Sequence, residues 1–255
     1  MTRFIGIISG KGGVGKTTTS INLGAALTYF GKNTVVIDAN LTTPNIGIHL
    51  GVPIVPINLN HVLQGKNTMN EAMYEHPCGT KIIPASISLY DLKKTNPDNL
   101  KKHIRSLDNK SDIVLVDCAA GLGREALMAL DAVDELLIVT NPELPAITDA
   151  LKTIKLAEEM KKDIIGVILT KTKENNLDVS INNVQAILEK PVISSIPDSK
   201  AVREALTLKD AVVFTHPKSE PAVNYKKLAS NLIGKNYEEE MPRGFFSKLF
   251  SKKGQ

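Results

Sequence analysis

The stretch "SGKGGVGKTT" at residues 9–18 decides how this sequence is read, because it contains the spacing G-x-x-x-x-G-K-[ST] once. The fixed positions of that spacing are Gly10, Gly15, Lys16 and Thr17. An apolar run at residues 4–8 precedes the stretch, and a segment with helical periodicity follows it. A strand before and a helix after are the context of a phosphate-binding loop, in which backbone N–H groups and the helix N-terminus face the phosphates.

The residue types in this loop predict binding of a nucleoside triphosphate with Mg²⁺. Lys16 is expected to neutralise β- and γ-phosphate oxygens, and the Thr17 hydroxyl is expected to ligate the metal. The residues expected to contact nucleotide here are Gly10, Lys11, Gly12, Gly13, Val14, Gly15, Lys16, Thr17 and Thr18. A second cation, Lys11, stands at the front of the loop, where the motif accepts almost any residue.

Composition is that of an ordinary globular chain. At 255 residues the chain is long enough for one large α/β domain, and no stretch approaches the ~20 apolar residues of a membrane span. The first residues are one Arg, a short apolar run and the Gly-rich loop, so no secretory signal is expected. Cys78 and Cys118 form no C-x-x-C pair, which favours a reducing cytoplasm and cysteines that are buried as small hydrophobic residues.

The charge distribution argues against a nucleic-acid-coating surface. The formal net charge is +4, and from Pro242 onward the chain has four basic residues and no acidic one. Without those four, 27 of the 31 basic residues remain, which equals the 27 acidic residues. The body is therefore neutral, no nucleic-acid partner is expected, and the excess charge belongs to a basic tail.

Alternation of short β-branched runs with helix-period segments predicts a doubly wound, mostly parallel α/β sheet flanked by helices. The expected strands cover residues 4–8, 34–37, 81–85, 112–117, 135–140, 163–170 and 191–196. The expected helices cover residues 16–30, 97–106, 145–160, 179–189 and 221–234. Ligands of such sheets bind at the carboxyl ends of the strands.

Two carboxylates end predicted strands at that edge. Asp38 closes "TVVID" and Asp117 closes "DIVLVD", which places both beside the phosphate loop. Mg²⁺ usually takes one or two carboxylates and keeps several waters, so Thr17, Asp38 and Asp117 are the candidate metal site. Gly121 follows in "DCAAG", where its backbone N–H is expected to reach the γ-phosphate.

These residues resemble the MinD/ParA family of deviant Walker A ATPases, and most closely its MinD branch. The matching segments are "KGGVGKTT" (11–18), "DANLTTPNIGIHLG" (38–51), "DCAAG" (117–121), "TNPE" (140–143) and "IPDS" (196–199). The resemblance implies an ATP-dependent homodimer in which Lys11 reaches the phosphates of the other subunit, so that hydrolysis requires dimerisation. It also matches Asp149 to a carboxylate that partners this lysine, although a solvated helix acid is the alternative.

One position departs from the family pattern. Many members have D-x-D where this chain has Asp38-Ala39-Asn40, and the second carboxylate helps to position the attacking water. An amide can orient water but cannot take a proton or carry the charge. The implied catalytic residues are Lys11, Lys16, Asp38, Asn40 and Asp117, with slow basal ATP hydrolysis.

Adenine recognition is carried over from the same resemblance. The end of "DIIGVILTK" and the segment "IPDS" flank the base in the family, which implies the set Thr170, Lys171, Pro197 and Asp198. Several relatives carry Asn in place of Thr170, so a base contact is either lost here or supplied by backbone.

The C-terminal "GFFSKLFSKK" (244–253) predicts an amphipathic helix that lies in a membrane interface. At about 100° per residue, three of the six phenylalanines and Leu249 fall within an arc of about 140°. The residues expected to contact an anionic membrane are Phe245, Phe246, Lys248, Leu249, Phe250 and Lys252. A helix that docks on the protein's own core is the alternative.

The expected protein is a membrane-associating ATPase that positions other proteins on the inner face of the cell membrane. It is divided into an ATPase domain (1–236), an acidic and proline-containing linker (237–243) and the tail (244–255). A regulator of flagellum or pilus number in the same family has the same sequence features. A ParA-like DNA-partitioning ATPase is disfavoured by the neutral body, and an iron–sulfur carrier is disfavoured because paired bridging cysteines are missing. The cargo or activator protein is not encoded in any motif.

Overall fold

A computed structural model describes residues 1–173 and 178–237. The linker residues 238–243 and the predicted membrane-targeting residues of the tail lie outside the described residues, and so does the end of the chain. The membrane residues Phe245, Phe246, Lys248, Leu249, Phe250 and Lys252 therefore stay a prediction from sequence.

The described residues form one sheet of eight strands in the order β3-β4-β2-β5-β1-β6-β7-β8. The strands are β1 (Arg3–Ile8), β2 (Thr34–Asp38), β3 (Tyr74–Glu75), β4 (Lys81–Ile83), β5 (Ile113–Asp117), β6 (Glu135–Thr140), β7 (Asp163–Thr172) and β8 (Val192–Pro197). All neighbours pair in parallel except β3, which is antiparallel to β4. The predicted doubly wound, mostly parallel sheet is confirmed.

Side chains of each strand enter two cores, one on each face of the sheet. In β1, Phe4 and Ile8 belong to one buried cluster, whereas Ile5 and Ile7 belong to the other. Strands β2 and β5 are buried at every position, because helices cover both faces. Full burial explains why these strands read as continuous apolar runs in the sequence.

The helices connect the strands and cover both faces of the sheet. They are α1 (Lys16–Tyr29), α2 (Ile46–His49), α3 (Leu59–Leu63), α4 (Leu89–Lys94), α5 (Leu100–Arg105), α6 (Arg124–Ala132), α7 (Leu144–Glu159), α8 (Ile181–Leu188), α9 (Lys200–Thr207), α10 (Val212–Thr215) and α11 (Glu220–Leu232). One helix was expected over 97–106, but the structure has a 3₁₀ turn at Pro97–Asn99 followed by α5. The turn is separate because Pro97 begins it and the Asn96 side chain accepts a hydrogen bond from the Asp98 N–H. None of the helices in the described ranges is long and apolar enough to cross a lipid bilayer.

The two edge strands of the sheet are β3, which is short, and β8, against which a helix packs. Edge strand β3 has only two residues and was not expected from the sequence. At the opposite edge, α11 packs against β8, and the Asn224 side chain donates a 2.8 Å hydrogen bond to the Ser195 carbonyl. Short strands and covered edges limit strand pairing with other chains.

Candidate active site

The glycine loop leaves the middle of the sheet, between β1 and α1. Gly13 and Gly15 have φ of 78° and 87°, the left-handed region that side chains rarely adopt. A Cβ built on Gly12 or Gly13 meets nothing within 4 Å, whereas one on Gly10 would lie 2.3 Å from the Asp149 carbonyl oxygen. Glycine at position 10 therefore lets α7 pack on the loop, and the later glycines leave backbone N–H groups open above it.

Asp117 binds three side chains of α1 at the end of β5. Its Oδ1 accepts a 2.8 Å hydrogen bond from the Lys16 ammonium, and its Oδ2 accepts a 2.6 Å bond from the Thr17 hydroxyl. The Ser20 hydroxyl adds a third bond at 3.1 Å. Lys16 is 7% exposed and Asp117 fully buried, so the pair is shielded from solvent. Breaking one partner of such a buried pair typically costs about 3–5 kcal/mol.

Asp38 lies next to Asp117 but has different partners. The two residues pair in register on β2 and β5. The Asp38 carboxylate accepts backbone hydrogen bonds from Asn40, Asn45 and Ile46, at 3.2, 2.8 and 2.9 Å. Burial, followed by the charge of Asp117, raises the pKa of Asp38 to about 7.

The sequence predicts that Thr17, Asp38 and Asp117 form one Mg²⁺ site, and two of these three side chains contact each other. Among the residues that the structure describes, Thr17 hydrogen-bonds to Asp117, while Asp38 organises the turn after β2. Because Asp38 pairs in register with Asp117, it is placed to act as an outer partner of a metal at Thr17.

A clasp joins the segment after β2 to the first turn of α6. The Thr42 hydroxyl and the Glu125 carboxylate form a short hydrogen bond, and the Thr42 backbone N–H donates to the same carboxylate at 3.2 Å. Glu125 was missed by the sequence analysis, since nothing local links two residues 83 positions apart. The clasp closes one wall of the space above the loop.

The space above the loop is a cleft of about 790 Å³. Its lining includes the following: Gly12, Gly13, Gly15, Lys16, Thr17, Thr18, Asn40, Thr42, Glu125 and Lys171. Lys11, Gly12 and Gly13 are exposed at its front. Six of the predicted loop residues line this cleft, and Thr42 and Glu125 line it as well. Their contacts with a nucleotide stay a prediction.

A second, more apolar cavity of about 330 Å³ lies beside the loop. Thr170, Lys171, Pro197 and Asp198, the four residues expected at the base, all line it. The lining also contains residues that the sequence analysis did not find, namely Ile21, His49, Val202, Arg203, Leu206 and Tyr225. His49 lies in a matching segment that carried no prediction for the base, and the other five lie in no matching segment, which is why they were missed.

The hydroxyl of Thr170 and the ammonium of Lys171 bind the loop itself. The Thr170 hydroxyl contacts the Val14 carbonyl and donates to Asn141 Oδ1 at 2.9 Å, and Lys171 donates to the Gly13 carbonyl at 2.7 Å. Both side chains therefore hold the loop in this structure, and the base contacts expected of them from sequence stay a prediction.

Comparison with known proteins agrees with this geometry. A family model described as an AAA domain matches residues 2–167. An uncharacterised ATP-binding protein of Methanocaldococcus jannaschii is 37% identical over 248 residues, which cover 96% of this chain and 94% of the relative. The septum site-determining protein MinD of Pyrococcus horikoshii, solved with Mg-ADP, is 34% identical, with a TM-score of 0.88 over 91% of this chain and 96% of that one.

The chain belongs to the MinD/ParA family of P-loop ATPases. A further solved structure, the MinC:MinD cell division protein complex of Aquifex aeolicus, is 28% identical and has a TM-score of 0.83 over 94% of this chain and 99% of that one. Members of the MinD/ParA family are ATPases, and this chain is an ATPase whose cofactors are ATP or ADP and Mg²⁺.

The residues of this MinD/ParA ATPase fit a Mg-nucleotide. The open backbone at Gly12 and Gly13 suits phosphate oxygens, and Lys16 supplies a shielded positive charge beside it. The Thr17 hydroxyl and the Asp117 carboxylate are hard oxygen ligands of the kind that Mg²⁺ prefers. Bound Mg²⁺ neutralises charge on phosphate oxygens, while the loop N–H groups and Lys16 orient the same group.

Gly121 and Asp149 have partners in this structure that the sequence did not predict. The Gly121 N–H donates to the Ser9 carbonyl at 3.0 Å, so it does not point toward a γ-phosphate as expected. Asp149 pairs with Lys152 at 3.3 Å, which is the solvated-helix alternative, and not with Lys11.

Asn40 is buried at the edge of the cleft with its amide already bonded. Its Nδ2 donates to the Thr43 carbonyl at 2.6 Å, and its Oδ1 accepts from the Thr43 hydroxyl at 3.1 Å. The amide thus holds the turn that follows Asp38. Its role in orienting water remains a prediction.

Proposed function

We propose that this MinD/ParA ATPase dimerises when it binds ATP, associates with an anionic membrane through residues 244–255 and positions another protein there. The chain then works as a cytoplasmic switch on the inner face of the cell membrane. The observation that supports this most directly is Lys11, an exposed cation at the front of a phosphate loop that already has a buried lysine.

Lys11 is surplus to the needs of a single subunit. Lys16 provides the charge at the loop and is held by Asp117. In residues 1–173 and 178–237 the Lys11 ammonium forms no hydrogen bond or ion pair, and the Ser9 hydroxyl donates to the Lys11 backbone carbonyl at 3.0 Å. A long cationic side chain in this position is able to reach a phosphate group bound by a second copy facing the cleft. A cation supplied across an interface stabilises charge on the phosphoryl oxygens and makes hydrolysis depend on dimerisation.

Lys11→Ala tests the dimer directly. We expect the variant to bind ATP as a monomer and to lose ATP-dependent dimerisation, as measured by light scattering coupled to size-exclusion chromatography. Lys66→Ala, which removes an exposed lysine away from the cleft, is the matched control and should dimerise like the parent chain. A Lys11→Ala protein that dimerises and hydrolyses ATP normally would exclude the role in trans.

The membrane proposal rests on the sequence of the tail. About ten residues are too few for a stable helix in water, so helix formation has to accompany insertion into the interface. Each lysine near an anionic surface adds only ~1 kcal/mol, so one tail binds weakly. Two tails on one dimer bind much more tightly through their effective concentration, which couples ATP to membrane residence.

A negative charge introduced on either face of the tail tests whether the tail is a membrane anchor. Phe246→Glu or Phe250→Glu should abolish ATP-dependent sedimentation with anionic vesicles and leave ATP binding unchanged. Ser247→Glu introduces the same charge on the polar face and should retain most of the vesicle binding. If the phenylalanine variants sediment like the parent, the tail is not a membrane anchor.

A protein partner is the remaining part of the proposal. The Aquifex relative solved together with MinC supports the idea that an ATPase of this shape recruits a second protein to its surface. Division-site placement and placement of a flagellum or pilus both require this recruitment, and the neutral body does not favour nucleic acid as the partner. A pull-down with vesicle-bound, ATP-loaded chain is the experiment that identifies it.

A further inference from the structure

A tight hairpin turn at the edge of the sheet presents a histidine and a cysteine side by side. The turn "HPCGT" (76–80) joins β3 to β4, with the Gly79 N–H bonded to the His76 carbonyl at 2.7 Å and the His76 N–H bonded to the Thr80 carbonyl at 2.9 Å. Pro77 fits the first central position of such a turn, and Gly79 has the positive φ, 83°, that a three-residue loop requires. The turn is therefore built to hold these two side chains.

A third side chain comes to this turn from a distant part of the chain. Asp210, just before α10, places its Oδ1 3.7 Å from His76 Nδ1, and Cys78 Sγ lies 3.1 Å from the same nitrogen. The three ligand atoms all lie within 4.8 Å of one another. His76 is buried and the other two residues are half-buried, so the cluster is open on one side only.

The two separations measured from His76 Nδ1 are close to the spacing of ligands around a tetrahedral metal. With metal–sulfur and metal–nitrogen bonds of about 2.3 and 2.0–2.1 Å, the sulfur and nitrogen are about 3.5 Å apart and a nitrogen and an oxygen about 3.3 Å apart. The observed 3.1 and 3.7 Å differ from these values by only a few tenths of an ångström. We propose that His76, Cys78 and Asp210 bind a divalent transition metal of the Zn²⁺ class, with water in the fourth position.

The surroundings orient the ligands as outer partners do in metal sites. The Thr80 hydroxyl lies 3.3 Å from Cys78 Sγ, and the Asp210 carboxylate accepts a 2.6 Å bond from the Ala211 N–H. The set of thiol, imidazole and carboxylate suits Zn²⁺ and does not suit Mg²⁺, which prefers oxygen ligands only. The site is therefore chemically distinct from the one beside Thr17.

Metal at this site ties together two parts of the fold that the backbone keeps far apart. The turn belongs to the edge hairpin, whereas Asp210 belongs to the segment between α9 and α10 and also lines the apolar cavity beside the loop. A cross-link of this kind stabilises the folded chain, because the complete ligand set exists only in the native state.

Cobalt provides the direct test, since Co²⁺ bound by a thiolate has a charge-transfer band that carboxylate sites lack. Untagged, fully reduced protein without nucleotide is titrated with Co²⁺, and the band is then displaced with Zn²⁺. We expect one equivalent to bind and Zn²⁺ to raise the unfolding temperature. His76→Ala and Asp210→Asn should weaken Co²⁺ binding by at least the ~10–100-fold that loss of an outer partner costs.

Two cysteine variants and a histidine variant decide between this site and chance binding. Cys78→Ser should remove the band, while Cys118→Ala should keep it, because Cys118 is fully buried away from the turn. His61→Ala removes a histidine that lies 3.6 Å from Asp91 with no thiol beside it and should leave Co²⁺ binding unchanged. Absence of a band in the parent protein, or its persistence in Cys78→Ser, would overturn the proposal.

Discussion

At the scale of single residues, Asp117 is important because its carboxylate accepts hydrogen bonds from three side chains of α1. It binds Lys16, Thr17 and Ser20 at once, and the first two are the residues that a nucleotide needs. Any phosphate or metal that enters the cleft therefore has to draw these groups from an existing partner. The affinity for nucleotide is the difference between the two sets of contacts, not the sum of the new ones.

Asn40→Asp tests the departure from the D-x-D pattern. The carboxylate restores a charge near the attacking water and should raise ATP turnover toward the low end of the ~10²–10⁴-fold that positioned acid–base groups contribute. It also loses the 2.6 Å bond that Asn40 Nδ2 donates to the Thr43 carbonyl, so the turn after Asp38 should loosen. Single-turnover hydrolysis with vesicles present is the measurement.

Asn45→Asp is the matched control for that variant. Asn45 donates to the same Thr43 carbonyl, at 2.8 Å, so it loses an equivalent bond and gains an equivalent charge. It does not occupy the second position of the pattern, and its turnover should stay near that of the parent. Equal rates in Asn40→Asp and the parent would show that slow hydrolysis has another cause.

At the scale of elements, sequence patterns succeed where burial is extensive. Strands β1, β2 and β5 are predictable because the residues in the middle of each are apolar and buried on both faces of the sheet. Helix α7 is predictable because it is long enough to show a buried face. Helices α2, α3 and α10 have only four or five residues, which is too short for helical periodicity to appear. Strand β3 has two residues and depends on its pairing with β4.

In the site too, residues within a short motif are predictable from sequence, whereas contacts between distant parts of the chain are not. The loop at 10–17 and the strand-end carboxylates are predictable, since a motif and a sheet edge are sufficient to place them. The clasp between Thr42 and Glu125 and the bond from Thr170 to the loop join residues far apart in the chain. Such contacts depend on how elements pack, and no spacing in the sequence encodes them.

At the scale of the whole molecule, stability should depend on pH through Asp38. Its pKa is about 7 in the folded chain and near 4 when the chain unfolds, so the folded state binds the proton more tightly. Its contribution to stability is present below pH 4 and is lost as the pH rises through 7. We expect the nucleotide-free protein to lose on the order of a few kcal/mol from this group between those limits.

The measurement is urea unfolding at pH 5 and pH 8 for the parent and Asp38→Asn. The amide stays neutral at both values, so the parent should lose stability relative to the variant at pH 8. Asp98→Asn, which changes an exposed carboxylate, should leave the pH dependence of the parent unchanged. A parallel response of the parent and Asp38→Asn would contradict the shift.

The protected edges of the sheet bear on how many copies can share one surface. Edge strand β3 is two residues long, and at the other edge α11 covers β8 and the Asn224 side chain takes the Ser195 carbonyl. A two-residue strand gives a neighbour few backbone groups with which to extend the sheet, and Asn224 occupies one backbone acceptor at the other edge. Pairing through β3 is thus a weak way for copies concentrated in a thin layer to join, which favours a layer that can disperse again.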